Sequence, residues 1–214
     1  MIANQALEVP MPIVSQNNGL LAEFAIFPVE PENQGRLVDQ LIQTIESTLK
    51  QHSGFVSSTV VRSCNGLRVT GYTQWTDQNS YVAMQPLTEF ASPDVHLFDI
   101  FAAEPKGSEL HLSPDMDGLI NFGIFKMKQP ENQPRFIELF RQAIDMVAGQ
   151  PGLISTFPHR SLDGWRCINF GHWRSLEDFT AMDNNRPFSP LFGEMLDLAN
   201  NEYQKTLHEV VLTT

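Results

Sequence analysis

Three side chains of the C-terminal half could act together on a small molecule: Arg160, Asn169 and Trp173. An indole stacks on a flat ring, while an amide and a guanidinium donate hydrogen bonds to an oxygen gaining negative charge. A hairpin would bring them together. The turn Leu162-Asp163-Gly164 separates runs that read as strands 152–161 and 165–173. Pairing across that turn sets Arg160 opposite Cys167, Pro158 opposite Asn169, Thr156 opposite Gly171 and Ile154 opposite Trp173, all on one side. His159, Phe157 and Ser155 share the other side with Ile168, Phe170 and His172. Thr156 and Ile154 are thus expected to border the same site. His172 has the residue type of a general base, but its parity turns it away from Trp173.

Trp173 and Arg160 also invite a plainer explanation, because the chain is written twice. Pro31-Glu32-Asn33-Gln34 returns 99 residues later as Pro130-Glu131-Asn132-Gln133. At an offset of 98 the copy continues through Gly54/Gly152, Arg62/Arg160, Gly66/Gly164, Arg68/Arg166 and Trp75/Trp173. A period this long is a duplicated domain, since solenoid repeats run at roughly 20–50 residues. Trp75 and Arg62 therefore join the binding candidates, and a duplicated Trp or Arg also suits packing at a strand end. Asn169 has no such double: Gly71 stands in its place. An Asn in mid-strand is disfavoured by propensity, which marks it for a special role.

Each half reads as strand, helix, two strands, helix, strand. In the first half these are Leu20–Phe27, a helix with Val38, Leu41, Ile42, Ile45 and Leu49 on one face, Phe55–Ser63, Leu67–Trp75, Asp77–Met84 and Val95–Ala102. The second half gives strand 119–126, helix 131–148, strands 152–161 and 165–173, a longer helical region over 175–200 and a last strand over 204–212. The order β-α-β-β-α-β is the ferredoxin-like unit of the α+β class. Its bare sheet face is apolar here, and a second copy in the same chain can cover it. Domains are expected at 19–103 and 118–214, after an N-terminal arm over 1–18 and around a linker over 104–117.

Composition narrows the function. With 42% hydrophobic residues the chain has material for a core, and its net charge of −11 with no Lys/Arg cluster argues against nucleic acid and anionic membranes. Residues 1–18 show no basic n-region and no long apolar run, so a cytoplasmic location is expected. Cys64 and Cys167 occupy non-equivalent places, and the six histidines show no ligand spacing, so neither a disulfide framework nor a metal site is expected. No motif calls for a nucleotide or a flavin.

Gly-His-Trp-Arg-Ser-Leu-Glu-Asp-Phe at 171–179, Thr-Gln-Trp-Thr-Asp-Gln-Asn-Ser-Tyr at 73–81 and Gln-Pro-Gly-Leu at 150–153 resemble the strand-end Trp, its following helix and the helix–strand turn of the antibiotic biosynthesis monooxygenase family. The resemblance covers nearly all of 19–103 and 118–212. It implies a dimeric α+β barrel, formed here within one chain, with small-molecule pockets between sheet and helices. Members include haem-degrading enzymes, which use an Asn on the first strand, the strand-end Trp and a His on the following helix. Asn121 and Trp173 match two of these, but the helix after Trp173 has no His, and haem is not expected.

The other implied activity is cofactor-free oxygenation, in which the anion of an acidic aromatic substrate passes an electron to dioxygen. Such a site needs a dry aromatic slot and donors for the oxyanion, roles open to Trp173, Asn169 and Arg160, with Asn121, Ile154, Thr156, Trp75 and Arg62 as binding residues. No cofactor is called for; the partners are a small aromatic substrate, dioxygen and a possible second copy of the chain. The copies differ consistently: Asn169 answers Gly71, and Asn121 is set against Ala22. The second half is therefore expected to hold the pocket. The competing class is a non-catalytic ferredoxin-like binding or structural protein, and the discriminator is a cavity of roughly 300 Å³ with convergent polar groups.

Overall fold

The repeated Pro-Glu-Asn-Gln motif turns each strand into its helix and fastens that helix to a hairpin. In the computed structural model, which describes residues 12–83, 94–187, 189–202 and 205–214, Pro31 and Pro130 each open a short 3-10 turn. The helices α1 (Gln34–Ser47) and α3 (Gln133–Val147) follow directly. Gln34 Nε2 donates to the carbonyls of Ser63 (2.9 Å) and Arg68 (3.1 Å) at the neck of the first hairpin. Gln133 Nε2 does the same to Ser161 and Arg166, both at 3.0 Å. Each hairpin turn carries a glycine at positive φ, Gly66 and Gly164, pressed against Pro31 and Pro130. A Cβ on Gly66 would lie 2.9 Å from that of Pro31, so helix entry and hairpin turn interlock.

Eleven strands are described: β1 (Ile13–Val14), β2 (Leu21–Pro28), β3 (Phe55–Ser63), β4 (Arg68–Trp75), β5 (Asp94–Ile100), β6 (Leu110–His111), β7 (Leu119–Met127), β8 (Leu153–Ser161), β9 (Arg166–Trp173), β10 (Ala199–Asn201) and β11 (His208–Thr213). The remaining helices are α2 (Gln78–Ala83), α4 (Leu176–Asn184) and α5 (Ser189–Leu198). Residues 1–11 of the expected arm, Met84 at the end of the expected helix and residue 204 at the start of the expected last strand lie outside the described residues.

The sheet runs β7-β11-β3-β4-β2-β5-β8-β9 and closes through β7–β9 into an eight-stranded antiparallel barrel, with β10 added along β7. Closure uses an exchange. β5 of the first half pairs with β8 of the second, and β11 of the second pairs with β3 of the first. Neither half has its full set of neighbours alone, which removes the free sheet edges. The ferredoxin-like α+β repeats thus form the intrachain barrel, with α1 and α3 packed outside it.

Eight strands leave an interior just wide enough to fill with side chains. Phe24, Tyr72, Phe98, Phe122, Phe157 and Phe170 fill it, Phe24 meeting Tyr72 edge-on at 5.0 Å and Phe98 at 5.1 Å. Each fully buried ring of this kind contributes about 1.5–3 kcal/mol. The arm and the linker pair with each other and pack into the core. β1 pairs with β6, and Val14, Leu110 and Leu112 are buried in the barrel core, so these segments plug one end of it. The helix beyond Trp173 also divides, into α4 and α5.

Candidate functional site

Outside the barrel wall of the second half, β7, β8 and β9 form a floor and α3, α4 and α5 a roof. Between them lies a cavity of about 110 Å³. Its apolar lining includes Phe125, Phe140, Ile144, Leu153, Phe179 and Met195. Its polar lining consists of Asn121, Thr156, Asn169, Asp183, Arg186 and Asn201, together with the Trp173 indole.

Gly171 is the centre of the floor. On β9 its neighbours two residues away are Asn169 and Trp173, and its partners across the sheet are Asn121 on β7 and Thr156 on β8. A Cβ placed on Gly171 would lie 3.1 Å from Trp173 Nε1 and 3.6 Å from Asn169 Nδ2. The missing side chain thus leaves a hollow that two N–H donors border. Thr156 Oγ1 donates to Asn169 Oδ1 at 2.5 Å, which fixes the amide with its nitrogen toward that hollow. Asn121 Nδ2 is buried and has no acceptor, and Asn201 Oδ1, on β10 beside β7, is buried with no donor. Orphaned buried polar atoms are costly in a protein interior, and a ligand or water that pairs them removes that cost.

At the mouth, Asp183 is the carboxylate of the lining. Arg186 Nη2 donates to its Oδ1 at 2.5 Å, and Lys205 Nζ lies 3.5 Å from its Oδ2. The Arg186 guanidinium also sits 5.0 Å over the ring of Phe192 on α5. This pair ties α4 to α5 over the cavity. Among the described residues, no group of three or more His, Cys, Asp or Glu is arranged to hold a metal.

Of the residues singled out in the sequence, Asn121, Thr156, Asn169 and Trp173 meet at this cavity. Four others do not. Ile154 is displaced by a bulge: the expected register holds from Arg160/Cys167 to Ser155/His172, then shifts so that Leu153 faces Trp173. Ile154 is left 44% exposed, and Leu153 takes its place in the lining. Arg160 shares the Trp173 face but sits at the far end of β8, where it clamps Asp99 of β5 through two hydrogen bonds of 2.8 and 2.9 Å. Arg62 makes the equivalent pair with Glu209 across β3 and β11. Both arginines therefore bridge the strand-exchange seams. Trp75 is fully buried against Phe55 and Tyr81.

His172 lies on the opposite face, as its parity required, with Nε2 bonded to the Asp117 carbonyl at 2.6 Å. Burial is the main cause that lowers its pKa. Asn121 changes partner. β2 pairs with β4 as β7 pairs with β9 when the offset is 98, so its counterpart is Glu23, not Ala22. Gly171, Leu153, Asp183, Arg186 and Asn201 were not found by sequence reasoning. Only Gly171 carried a signal there, standing where the first half has Thr73.

Comparisons with known proteins identify the family and the fold. Residues 124–190 match the model of the family described as antibiotic biosynthesis monooxygenase. The chain is 35% identical over 81 residues to tetracenomycin-F1 monooxygenase of Streptomyces glaucescens, a stretch covering 37% of this chain and 70% of that protein. Among solved structures, it is similar to an anthrone oxidase-like protein with a TM-score of 0.81 at 19% identity, over 95% of this chain and 96% of the other. It is also similar to a ferredoxin fold protein related to antibiotic biosynthesis monooxygenases from Listeria monocytogenes, with a TM-score of 0.50 at 13% identity, over 90% and 96%. At those identities the likeness to the solved structures is one of fold. No described helix is long and apolar enough to cross a membrane.

Proposed function

The chain belongs to the antibiotic biosynthesis monooxygenase family, and from that premise we propose that its second half oxygenates a small acidic aromatic substrate with dioxygen and no cofactor. The observation that carries this reading is the hollow over Gly171, bordered by Trp173 Nε1 and Asn169 Nδ2 and faced by the unpartnered Asn121 Nδ2. N–H groups held in place around an apolar slot stabilise an oxyanion as it forms, without reorganising.

The chemistry needs only substrate and oxygen. A phenolic ring system with an acidic CH2 loses a proton, and its anion, the oxygen held by these donors, gives one electron to dioxygen. Radical and superoxide join through a new C–O bond. The resulting hydroperoxide loses water as its O–O bond breaks, leaving a carbonyl. One oxygen atom enters the product and the other leaves as water, so CH2 plus O2 gives C=O plus H2O. The substrate supplies all the electrons. Asp183, at the mouth, is the proton acceptor in this scheme, and the α4–α5 roof excludes bulk water.

The present cavity of about 110 Å³ is small, against the ~300 Å³ of a pocket for a drug-sized ligand. In this reading, binding of an aromatic substrate requires α4 and α5 to move outward. Oxygen uptake with phenols, naphthols and anthrones tests the function. The expected result is one carbonyl formed per dioxygen consumed, unaffected by chelators, with a loss of about 10²-fold in turnover for Asp183→Asn. Saturable quenching of tryptophan fluorescence without any oxygen uptake would instead make the chain a binding protein.

A further inference from the structure

The barrel is plugged by apolar side chains at one end and carries two buried arginines at the other. Arg68 and Arg166 occupy equivalent positions at the start of β4 and β9, and both are buried, at 7% and 4% exposure. They line a second cavity of about 180 Å³ with Ile26, Phe98, Ile124 and Ile168. The lining repeats itself across the two halves, Ile26 with Ile124 and Arg68 with Arg166, so the cavity lies on the pseudo-twofold axis of the barrel. It is separate from the cavity over Gly171, with which it shares no lining residue.

Among the described lining residues, two arginines stand against one carboxylate, Glu202. Arg166 Nη1 is paired with Glu202 at 2.9 Å. His96 at the rim is bonded to Asp163 Oδ2 at 2.6 Å. Arg68, by contrast, has Nε and Nη1 buried with no acceptor. Burial works against its charge, lowering its pKa, and Glu202 only partly offsets this. Buried guanidinium donors without acceptors are costly in a protein interior, and here two of them stand in a chain of net charge −11. Nearby, Thr70 Oγ1 and His208 Nε2 are also buried without partners. Two buried donors of one guanidinium, side by side at the wall of a cavity, call for a group that pairs them.

We propose that this end of the barrel is a binding site for a small oxyanion, a carboxylate or a phosphate, held by Arg68 beside the Arg166–Glu202 pair. Guanidinium groups form their strongest hydrogen bonds with such anions. The ligand would join strands of both halves from inside, so that binding stabilises the closed barrel by mass action.

Calorimetric titration of the full chain with inorganic phosphate, and separately with acetate, at ionic strength held constant with chloride, tests the site. Saturable one-to-one binding of either anion is expected, and the anion that binds assigns the class. Arg68→Met should abolish it, while Arg62→Met, which removes an exposed arginine elsewhere, should leave it intact. Glu202→Gln removes the competing carboxylate and should tighten binding by about fivefold. That exposed position keeps the test decisive even where Arg68→Met does not fold. Absence of binding by both anions, binding that survives Arg68→Met, or an affinity unmoved by Glu202→Gln would overturn the proposal and leave the site to water.

Discussion

The indole Nε1 of Trp75 donates to Glu23 Oε2 at 3.0 Å, whereas Trp173 Nε1, its counterpart, borders an open hollow. Around Trp75 each element of the second-half cradle is replaced. Thr73 fills the place of Gly171, and its hydroxyl pairs with Ser58, the counterpart of Thr156, at 3.0 Å. Glu23 stands where the second half has Asn121. One sheet thus carries the same tryptophan twice, once with its N–H consumed and once with it available. This difference motivates the assignment of the oxygenase site to the second half.

Copying the first half onto the second should close the site. In Gly171→Thr the new side chain enters the hollow 3.1 Å from Trp173 Nε1. Oxygen uptake should fall by about 10²-fold or more, the scale of losing an oxyanion donor. Far-UV circular dichroism should be unchanged. Turnover that survives Gly171→Thr would remove the hollow from the mechanism.

The two tryptophans should separate when each is changed to Phe. Trp173→Phe keeps an aromatic ring and deletes a donor, so it should lower kcat with little loss of stability. Trp75→Phe leaves Glu23 buried at 5% exposure without its partner. It should cost about 1–3 kcal/mol of stability and leave turnover intact. Equal loss of turnover from both would mean that the halves share one function.

Arg160 and Arg62 should behave as seam residues. Their side chains are 46% and 44% exposed, paired with Asp99 and Glu209 across the exchanged strands. Pairs so exposed are screened by solvent, and Arg160→Met should lower stability by less than about 1 kcal/mol. Urea midpoints measure this. Because Arg160 lies outside the cavity lining, oxygen uptake should not change; a large loss there would return Arg160 to the chemistry.

What the sequence made legible follows from what is periodic in it. The Asp163-Gly164 turn and strict alternation placed Arg160, Asn169 and Trp173 on one face and His172 on the other. Alternation does not announce a bulge, which is why Ile154 went to solvent. Nor does parity say how far along a strand a residue lies, and Arg160 sits on the correct face at the wrong end. The Ala22/Asn121 pairing failed for a different reason. The 99-residue offset belongs to the Pro-Glu-Asn-Gln motif and the helix after it, because an extra residue lies between Lys126 and Pro130, while the strands keep 98. Matching the strands by the motif's offset slipped them by one residue and hid Glu23, the residue that most distinguishes the first half. Asp183 and Asn201 reach the cavity through tertiary packing of α4 and β10, which no local pattern encodes.

The buried titratable groups should give stability an unusual dependence on pH. Burial pushes Glu23 up from 4.5 to about 7, against the hydrogen bond from Trp75. Burial also pulls His159 and His208 in the barrel down from 6.5 to about 4. Each shift corresponds to roughly 3 kcal/mol. The signs differ. Glu23 folds preferentially protonated, so its contribution is present below the unfolded value and is lost as pH rises toward 7. The histidines fold preferentially neutral, so theirs is present above 6.5 and is lost as pH falls toward 4. Between about pH 4.5 and 6.5 the two histidines, and His172 in the same direction, favour higher pH, and Glu23 opposes them by about one proton. Glu23→Gln removes the opposing group. Urea unfolding at about pH 5, 6 and 7 should therefore show the variant losing stability with acid more steeply than the parent chain, by about one proton's worth of slope, with the curves flattening together above pH 7. Identical slopes in parent and variant would mean that Glu23 is not held protonated in the folded chain.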